Sequence, residues 1–363
     1  MKVLFGYLTA EFRGGTKFQL DFAENFKNIQ VGFITSNLHV SYENRVERVG
    51  EIHVIPPTKK YKNRLNVLKE LAHEYDILYL NKATLNPIEQ RIVKKAGFKK
   101  VVYHSHSTAK DVKNPLKKAV YYMLHYMARA DIDKIADKMY ACSNEAGFWL
   151  FGEKNKDKFT IVNNGIDADK FRFDPELRSK KREETGLSDF TILHAGAFSP
   201  VKNQSYLIEA FSVLCKTKPD STLLLAGNGE LMDHAKETAE KLGVSDKVRF
   251  LGQRSDMNEL MQAADMFVLP SLKEGLPFSA VEAQAAGLKC IITDTASAQT
   301  KITDLLRFFD VSQPPSALAE TIAKEADYER RDTYDDITNG GFNLKACAKK
   351  LENELFALCC ESS

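Results

Sequence analysis

Glu274 and Glu282 stand eight positions apart in the stretch SLKEGLPFSAVEAQAAG, with a Gly275-Leu276-Pro277 turn between them. Ionised carboxylates accept hydrogen bonds from hydroxyl groups. The amides of Leu276, Phe278 and Ser279 lead into a predicted helix, and a helix N-terminus attracts anions. Two hydroxyl acceptors flanking a phosphate-friendly turn suit a nucleotide sugar. Lys202, in HAGAFSPVKNQ, follows another apolar run and can neutralise a diphosphate leaving group. Most loop lysines are simply exposed. This one follows Gly196, which permits close backbone approach, and precedes Asn203, expected to cap the next helix.

The elements that must hold these residues are legible as runs. MFVLP (Met266 to Pro270) reads as a buried parallel strand and SAVEAQAA as a helix, so Glu274 falls on a strand-end loop and Glu282 one turn into the helix. In open parallel sheets that edge is where ligands bind. AGNGEL is a second strand-to-helix turn, eased by Gly227 and Gly229. The dinucleotide fingerprint of three glycines is incomplete because position 232 is Met, which argues against a nicotinamide dehydrogenase. In FLGQRSDM, Gln253 and Arg254 could border a nucleobase. An ordinary surface loop with Asp256 capping the next helix explains the same residues equally well.

The first half alternates strands (KVLFGYL, IQVGFITSN, VGEIHVIPP, DILYLN, KKVVYHSH, KMYACS, KFTIVNNGID) with helices, ending in a long helical stretch from about Pro115 to Ala136. Gly14-Gly15-Thr16 is expected to form a turn after the first strand. The second half restarts with FTILHAG, STLLLAG, VRFLG, MFVLP and LKCIITD, each followed or preceded by a helical segment. A repeated βα pattern is the signature of a doubly wound parallel sheet. The polar stretch Asp167 to Ser188 reads as an interdomain linker with a short helix. The fold class is therefore α/β, two Rossmann-like doubly wound domains facing a cleft. The boundaries fall at 1–170, joined by a C-terminal helix at about 342–360, and 171–341.

Two features of the first half carry chemistry. In HSHS (104–107), alternation points His104 and His106 the same way. No third ligand with metal spacing follows, so a neutral imidazole bonding a sugar hydroxyl fits better than a metal site. NPLKKAVYYMLHYMARADIDKIADK mixes basic with aromatic and methionine residues. Such a helix can dock on an anionic bilayer surface, but a core helix with a solvated basic face explains the spacing and is the favoured reading. Nucleic acid is a third reading, without a recognised module behind it.

With 363 residues the chain exceeds one ordinary core. Residues 1–165 carry 27 Lys and Arg against 17 Asp and Glu, a net +10; residues 166–363 carry 24 against 32, a net −8. A wholly basic half points to anionic partners. Six cysteines without a C-x-x-C pair read as reduced thiols. No stretch reaches the ~18 apolar residues of a membrane span, and the N-terminus has too short an apolar run for a signal peptide, so a cytoplasmic protein is expected.

GG at 14–15, HSHS, ACSNEAGFWLFGE (141–153), VNNGID (162–167), GAFSPVKNQ (196–204), AGNGEL and EGLPFSAVEAQAAG together resemble the retaining family 4 glycosyltransferases of GT-B type. They look most like the branch that builds bacterial capsule, exopolysaccharide and lipopolysaccharide. The resemblance implies catalytic roles for His106, Lys202 and Glu274. Glu274 would bind donor-sugar hydroxyls, the Gly275–Ser279 turn (Leu276, Pro277, Phe278, Ser279) the diphosphate, and Glu282 the ribose. Gly15 aligns with the family's acceptor-side glycine loop, and Gly196, Gly227 and Arg254, from the strand-end turns above, are expected to complete the donor-binding set. It further implies no metal and no cofactor beyond a nucleotide-sugar co-substrate, most often UDP-linked. The partner would be a glycan or lipid-linked acceptor, with peripheral contact at the inner membrane face.

The chain departs from the family where Gly-Arg is usual: here Gly196 is followed by Ala197. Losing one charge-assisted contact costs ~1.5–3 kcal/mol. Two rivals stay open, a nucleotide-sugar epimerase on the same fold and a non-catalytic nucleotide-sugar-binding subunit.

Overall fold

The computed structural model describes residues 1–9, 14–36, 42–106, 114–187 and 189–361. Ser107 of HSHS, Asn37 at the end of the second predicted strand, and Ser188 of the polar stretch lie outside them. The chain divides into two compact units, Met1–Gly165 with Leu344–Ser363, and Ile166–Asn343.

The first unit holds β1 (Lys2–Leu8), β2 (Gln30–Thr35), β3 (Gly50–Val54), β4 (Ile77–Lys82), β5 (Lys100–Ser105), β6 (Lys138–Ala141) and β7 (Phe159–Ile161). They form one sheet in the order β3-β2-β1-β4-β5-β6-β7, paired in parallel throughout. Strand order reverses between β1 and β4. The runs VLF of β1 and ILYL of β4 are buried on both faces, as a sheet covered by helices on each side requires. The C-terminal helix Leu344–Cys360 joins this unit. It buries Leu351 and Leu355, each contributing about 1.5–3 kcal/mol. Its Glu352 accepts the Lys27 and Asn28 backbone N–H groups at 3.1 and 2.6 Å.

The second unit holds β8 (Phe190–Ala195), β9 (Ser221–Ala226), β10 (Val248–Gly252), β11 (Met266–Leu269), β12 (Lys289–Thr293) and β13 (Leu306–Phe309), in the order β10-β9-β8-β11-β12-β13, again all parallel. Here the order reverses between β8 and β11. β13, which the sequence reading lacked, is short and carries Arg307, so its apolar run is broken.

Four expectations are corrected. The polar stretch from Asp167 is part of the second unit rather than a linker. Ala168 and Phe171 are buried in its core. Arg178 and Arg182, one turn apart on the helix Pro175–Thr185, both bind Asp265, at 2.5 and 2.9 Å. Gly14 and Gly15 open the helix Gly14–Asn25 instead of forming a separate turn. The long helix from Pro115 ends at Arg129, and a 3-10 turn, Ile132–Lys134, follows. That helix is also not a core helix: only His125 and Ala128 are buried, while Leu116, Val120, Met123, Tyr126 and Met127 are exposed, Leu116 by 79%.

Candidate functional site

Lys202 and Glu274 meet in the second unit, at the carboxyl ends of β8 and β11, the strands between which the order reverses. Lys202 Nζ lies 2.6 Å from Glu274 Oε1, with the side chains 24% and 11% exposed. Backbone bonds between neighbouring strand-end loops hold them there. Leu272 N–H donates to Val201 O at 2.7 Å, tying the lysine loop to the glutamate loop. Gly196 N–H donates to Ala226 O at 2.9 Å, Phe198 N–H to Asn228 O at 3.0 Å, and Gly227 N–H to Gly252 O at 2.8 Å.

This packing requires glycine at 227 and is tight at 196. At Gly227 φ is +138°, and a Cβ would stand 2.0 Å from Gly196 O. At Gly196 a Cβ would stand 3.2 Å from Lys202 Cδ, so its absence lets the lysine lie across the backbone. Asn203 does not cap the helix Gln204–Leu214 as expected. It sits in the left-handed region, φ 58°, and donates its side-chain amide to Pro270 O at 3.2 Å. A left-handed residue at this corner turns the chain, and its side chain fastens the lysine loop to the end of β11.

His194, absent from the sequence reading, lies beneath this loop and is fully buried. Its Nδ1 is 3.0 Å from Val268 O, a pure acceptor, so Nδ1 carries the proton. Nε2 then accepts from the Gln204 amide at 3.3 Å, and the same amide donates to Ala197 O at 3.0 Å. Burial pushes the His194 pKa down to about 4 against the opposing Val268 bond, and the Lys202 charge adds to the depression. A neutral imidazole thus supports the loop without adding charge. Its signal in the sequence was a histidine inside an otherwise apolar strand.

Around Glu274 the turn is open. A Cβ on Gly275 would meet nothing within 4 Å, and Gly275 O accepts Ser297 N–H at 2.8 Å. Leu276 and Phe278 pack against the core of the unit, and Pro277 is the N-cap of the helix Phe278–Ala285. No side chain caps that helix, so the N–H groups of Phe278 and Ser279 point outward from its positive end. Glu282 is half-buried, in the second turn. Arg254 is held on its own loop by both oxygens of Asp256, at 2.8 and 2.5 Å, and is exposed. With its carboxylate so engaged, Asp256 makes no side-chain cap of the helix Met257–Ala263.

In the first unit, His104 and His106 lie on one side of the sheet with ring centroids 3.9 Å apart. His104 Nδ1 is 2.8 Å from the Tyr79 hydroxyl. His106 Nε2 donates to Asn81 Oδ1 at 2.5 Å, and Phe18 packs on both rings. Burial pushes the His106 pKa down to about 3, more than the neighbouring Asn164 amide restores, so the imidazole is neutral. Gly15 stands in the first turn of its helix with open space where a side chain would be. Among the described residues no three His, Cys, Asp or Glu side chains are grouped to hold a metal. Of two Asp-x-Asp stretches, Asp131 and Asp133 pair with lysines 134, 154 and 158, and Asp167 caps the helix Ala168–Phe171.

Residues 176–339 match the profile of the family described as glycosyl transferases group 1. The chain is 35% identical over 196 residues to glycosyltransferase EpsF of Bacillus subtilis, covering 53% of this chain and 51% of that protein. It is 30% identical over 245 residues to the Escherichia coli UDP-Gal:alpha-D-GlcNAc-diphosphoundecaprenol alpha-1,3-galactosyltransferase, covering 65% and 62%. The matches thus span about half to three-fifths of the length of these curated relatives. Anabaena Alr3699/HepE, solved in complex with UDP, superposes with a TM-score of 0.71 at 20% identity over 99% of this chain and 98% of that one. Residues 176–339 thus resemble the group 1 glycosyl transferases, on a chain with the two-sheet GT-B fold.

Proposed function

We propose that the protein transfers a hexose or N-acetylhexosamine from a nucleotide diphosphate sugar, UDP-linked, to a glycan or lipid-linked acceptor in bacterial cell-surface polysaccharide synthesis, with retention of configuration and without a metal. The observation that carries this reading is the Lys202–Glu274 contact, beside the uncapped N-terminus of the helix Phe278–Ala285, inside the group 1 segment. The UDP complex of the Anabaena protein and the UDP-Gal donor in the Escherichia coli protein's name support the choice of donor.

Before donor binding, Lys202 and Glu274 neutralise each other. On binding, Glu274 turns to the sugar hydroxyls and Lys202 to the diphosphate, which also meets the Phe278 and Ser279 amides, while Glu282 takes the ribose hydroxyls. An acceptor oxygen then bonds to the anomeric carbon as its bond to the phosphate oxygen breaks. The acceptor's proton passes to the departing phosphate on the same face of the sugar. Charge developing on that phosphate is where fixed donors contribute most. His106, neutral through burial, offers a hydrogen bond to the sugar rather than a charge.

With Ala197 in place of the family's arginine, Lys202 and the helix amides bear the diphosphate charge, because Arg254 is engaged with Asp256. The same substitution is what favours the second reading, a nucleotide-sugar-binding subunit that does not turn over. Peripheral membrane contact is part of the proposal. The helix Pro115–Arg129 presents Leu116, Val120, Met123 and Met127 in one exposed row beside Lys117 and Lys118, a combination that suits the inner, anionic face of a cell membrane. No helix among the described residues is long and apolar enough to cross one.

A thermal-shift screen of nucleotide sugars tests the donor, since a ligand that binds only the native state raises the melting temperature. At least one UDP-sugar should raise it. A flat response to every nucleotide sugar contradicts the reading, and a response without turnover on any acceptor favours the binding subunit.

A further inference from the structure

The first unit contains a cavity of about 410 Å³ that the donor-site chemistry does not use. It is lined at the carboxyl ends of β1, β2 and β4 by Tyr7, Ser36 and Lys82, and further by Arg64, Thr84 and Glu89. Because the order reverses between β1 and β4, this is the switch point of the first sheet, the edge where open α/β sheets take ligands.

The charges in it do not cancel. Arg64 is 2% exposed, and the Lys82 and Glu89 side chains are 14% and 11% exposed. Lys82 Nζ lies 2.6 Å from Glu89 Oε2, and Arg64 Nη2 lies 3.7 Å from Glu89 Oε1. Burial alone would raise the Glu89 pKa. The Lys82 charge and hydrogen bond, with Tyr7 and Arg64, outweigh it and hold the carboxyl below its usual range. Two cations therefore face one carboxylate. The Tyr7 ring lies under both, 4.2 Å from Lys82 Nζ and 4.8 Å from Arg64 Cζ. Arg64 Nε is buried without a hydrogen-bond partner among the described residues, and the buried Tyr7 hydroxyl lies beside Glu89 and Arg64. Buried donors without partners are costly and rare. A net positive, donor-rich cavity with hydroxyl-bearing walls is complementary to an anionic oxygen group carried by a hydroxylated molecule.

We propose that this cavity binds the phosphate of a phosphorylated sugar, with Arg64 Nε, Lys82 and the Tyr7 hydroxyl on the phosphate and Ser36 and Thr84 toward the sugar. Assigning that sugar phosphate as the acceptor rests on the glycosyl-transfer reading; its binding does not. The phosphate is borne either by a soluble sugar phosphate or by a lipid diphosphate sugar.

Calorimetric titration of the full chain with a hexose 1-phosphate, the unphosphorylated hexose, and a prenyl-diphosphate-linked N-acetylhexosamine in detergent micelles tests this. The hexose 1-phosphate should bind and the hexose should not; preference for the prenyl diphosphate over the hexose 1-phosphate identifies the lipid source, and the reverse the soluble one. Lys82→Gln should weaken phosphate-ligand binding ~10-fold or more, whereas Glu89→Gln, which removes the competing anion, should tighten it. Opposite signs from two variants cannot come from misfolding. UDP, titrated in parallel, should bind both variants as it binds the wild type, and Glu282→Ala should lose UDP while keeping the sugar phosphate. Equal binding of hexose and hexose 1-phosphate, or unchanged affinity in both pocket variants, overturns the proposal. Absence of UDP binding with the phosphate result intact would instead overturn the donor-site reading.

Discussion

Both units place a lysine and a glutamate in contact at the switch point of a parallel sheet, and the two contacts have the same length, 2.6 Å for Lys82–Glu89 and for Lys202–Glu274. Their surroundings differ. In the first unit a second cation, Arg64, is buried beside the pair, in a half with net charge +10. In the second a second carboxylate, Glu282, stands beyond an open helix N-terminus, in a half with net charge −8. An excess of cations selects anions. An excess of carboxylates beside amides selects hydroxyls next to a phosphate. On the readings proposed above, the same pair serves two chemistries according to its third charged neighbour.

Removing each glutamate should separate the two pairs most. Glu89→Ala should cost about 3–5 kcal/mol of stability, because it strands two buried cations. Glu274→Ala should cost about 1 kcal/mol or less, since Lys202, at 24% exposed, can regain water. Denaturant unfolding of the two variants checks this; equal costs would mean that burial does not separate the pairs.

Gly227→Ala should come next, at roughly 2–3 kcal/mol, because its Cβ would strike Gly196 O and its φ of +138° disfavours a side chain. The corresponding change at Gly15, where a Cβ meets nothing, should leave stability within about 0.5 kcal/mol. Melting temperatures of the two variants measure the difference.

A smaller effect is expected from pH. The His194 pKa is about 4 in the folded unit against 6.5 unperturbed. The unfolded chain therefore binds the proton first, so this contribution is complete above about 6.5 and is lost as pH falls from there toward about 4. Replacing His194 with Gln should flatten the fall in melting temperature across that window. An unchanged slope would show that His194 is not neutral and buried as described. The smallest effect on the isolated protein is expected from Met123→Asp with Met127→Asp. The pair should leave stability within about 0.5 kcal/mol yet abolish sedimentation with anionic vesicles.

Strand ends were legible because strands buried on both faces are written as apolar runs, and Lys202 and Glu274 lie in the loops just after two of them. The support beneath them was not. Asn203 reads as a cap, but the corner at the end of β8 needs a left-handed residue, which local composition does not announce. His194 is visible only as a histidine among apolar neighbours, and its bond to Val268 spans 74 positions. The cavity of the first unit is assembled by the fold from Tyr7, Arg64, Lys82 and Glu89, residues too far apart in the chain to form a pattern. The helix at Pro115–Arg129 misled because its methionine and tyrosine spacing is that of a core helix, while the neighbouring elements bury only its opposite side.

The proposed transfer depends on Glu274, paired with Lys202, holding the donor sugar. Transfer of radiolabelled hexose from a UDP-sugar to a lipid-linked acceptor, measured for the wild type and for Glu274→Gln, tests it most directly. Turnover by the wild type is expected, with a loss of about 100- to 1,000-fold in kcat for the variant and a nearly unchanged melting temperature. Transfer by Glu274→Gln at near wild-type rate would contradict it.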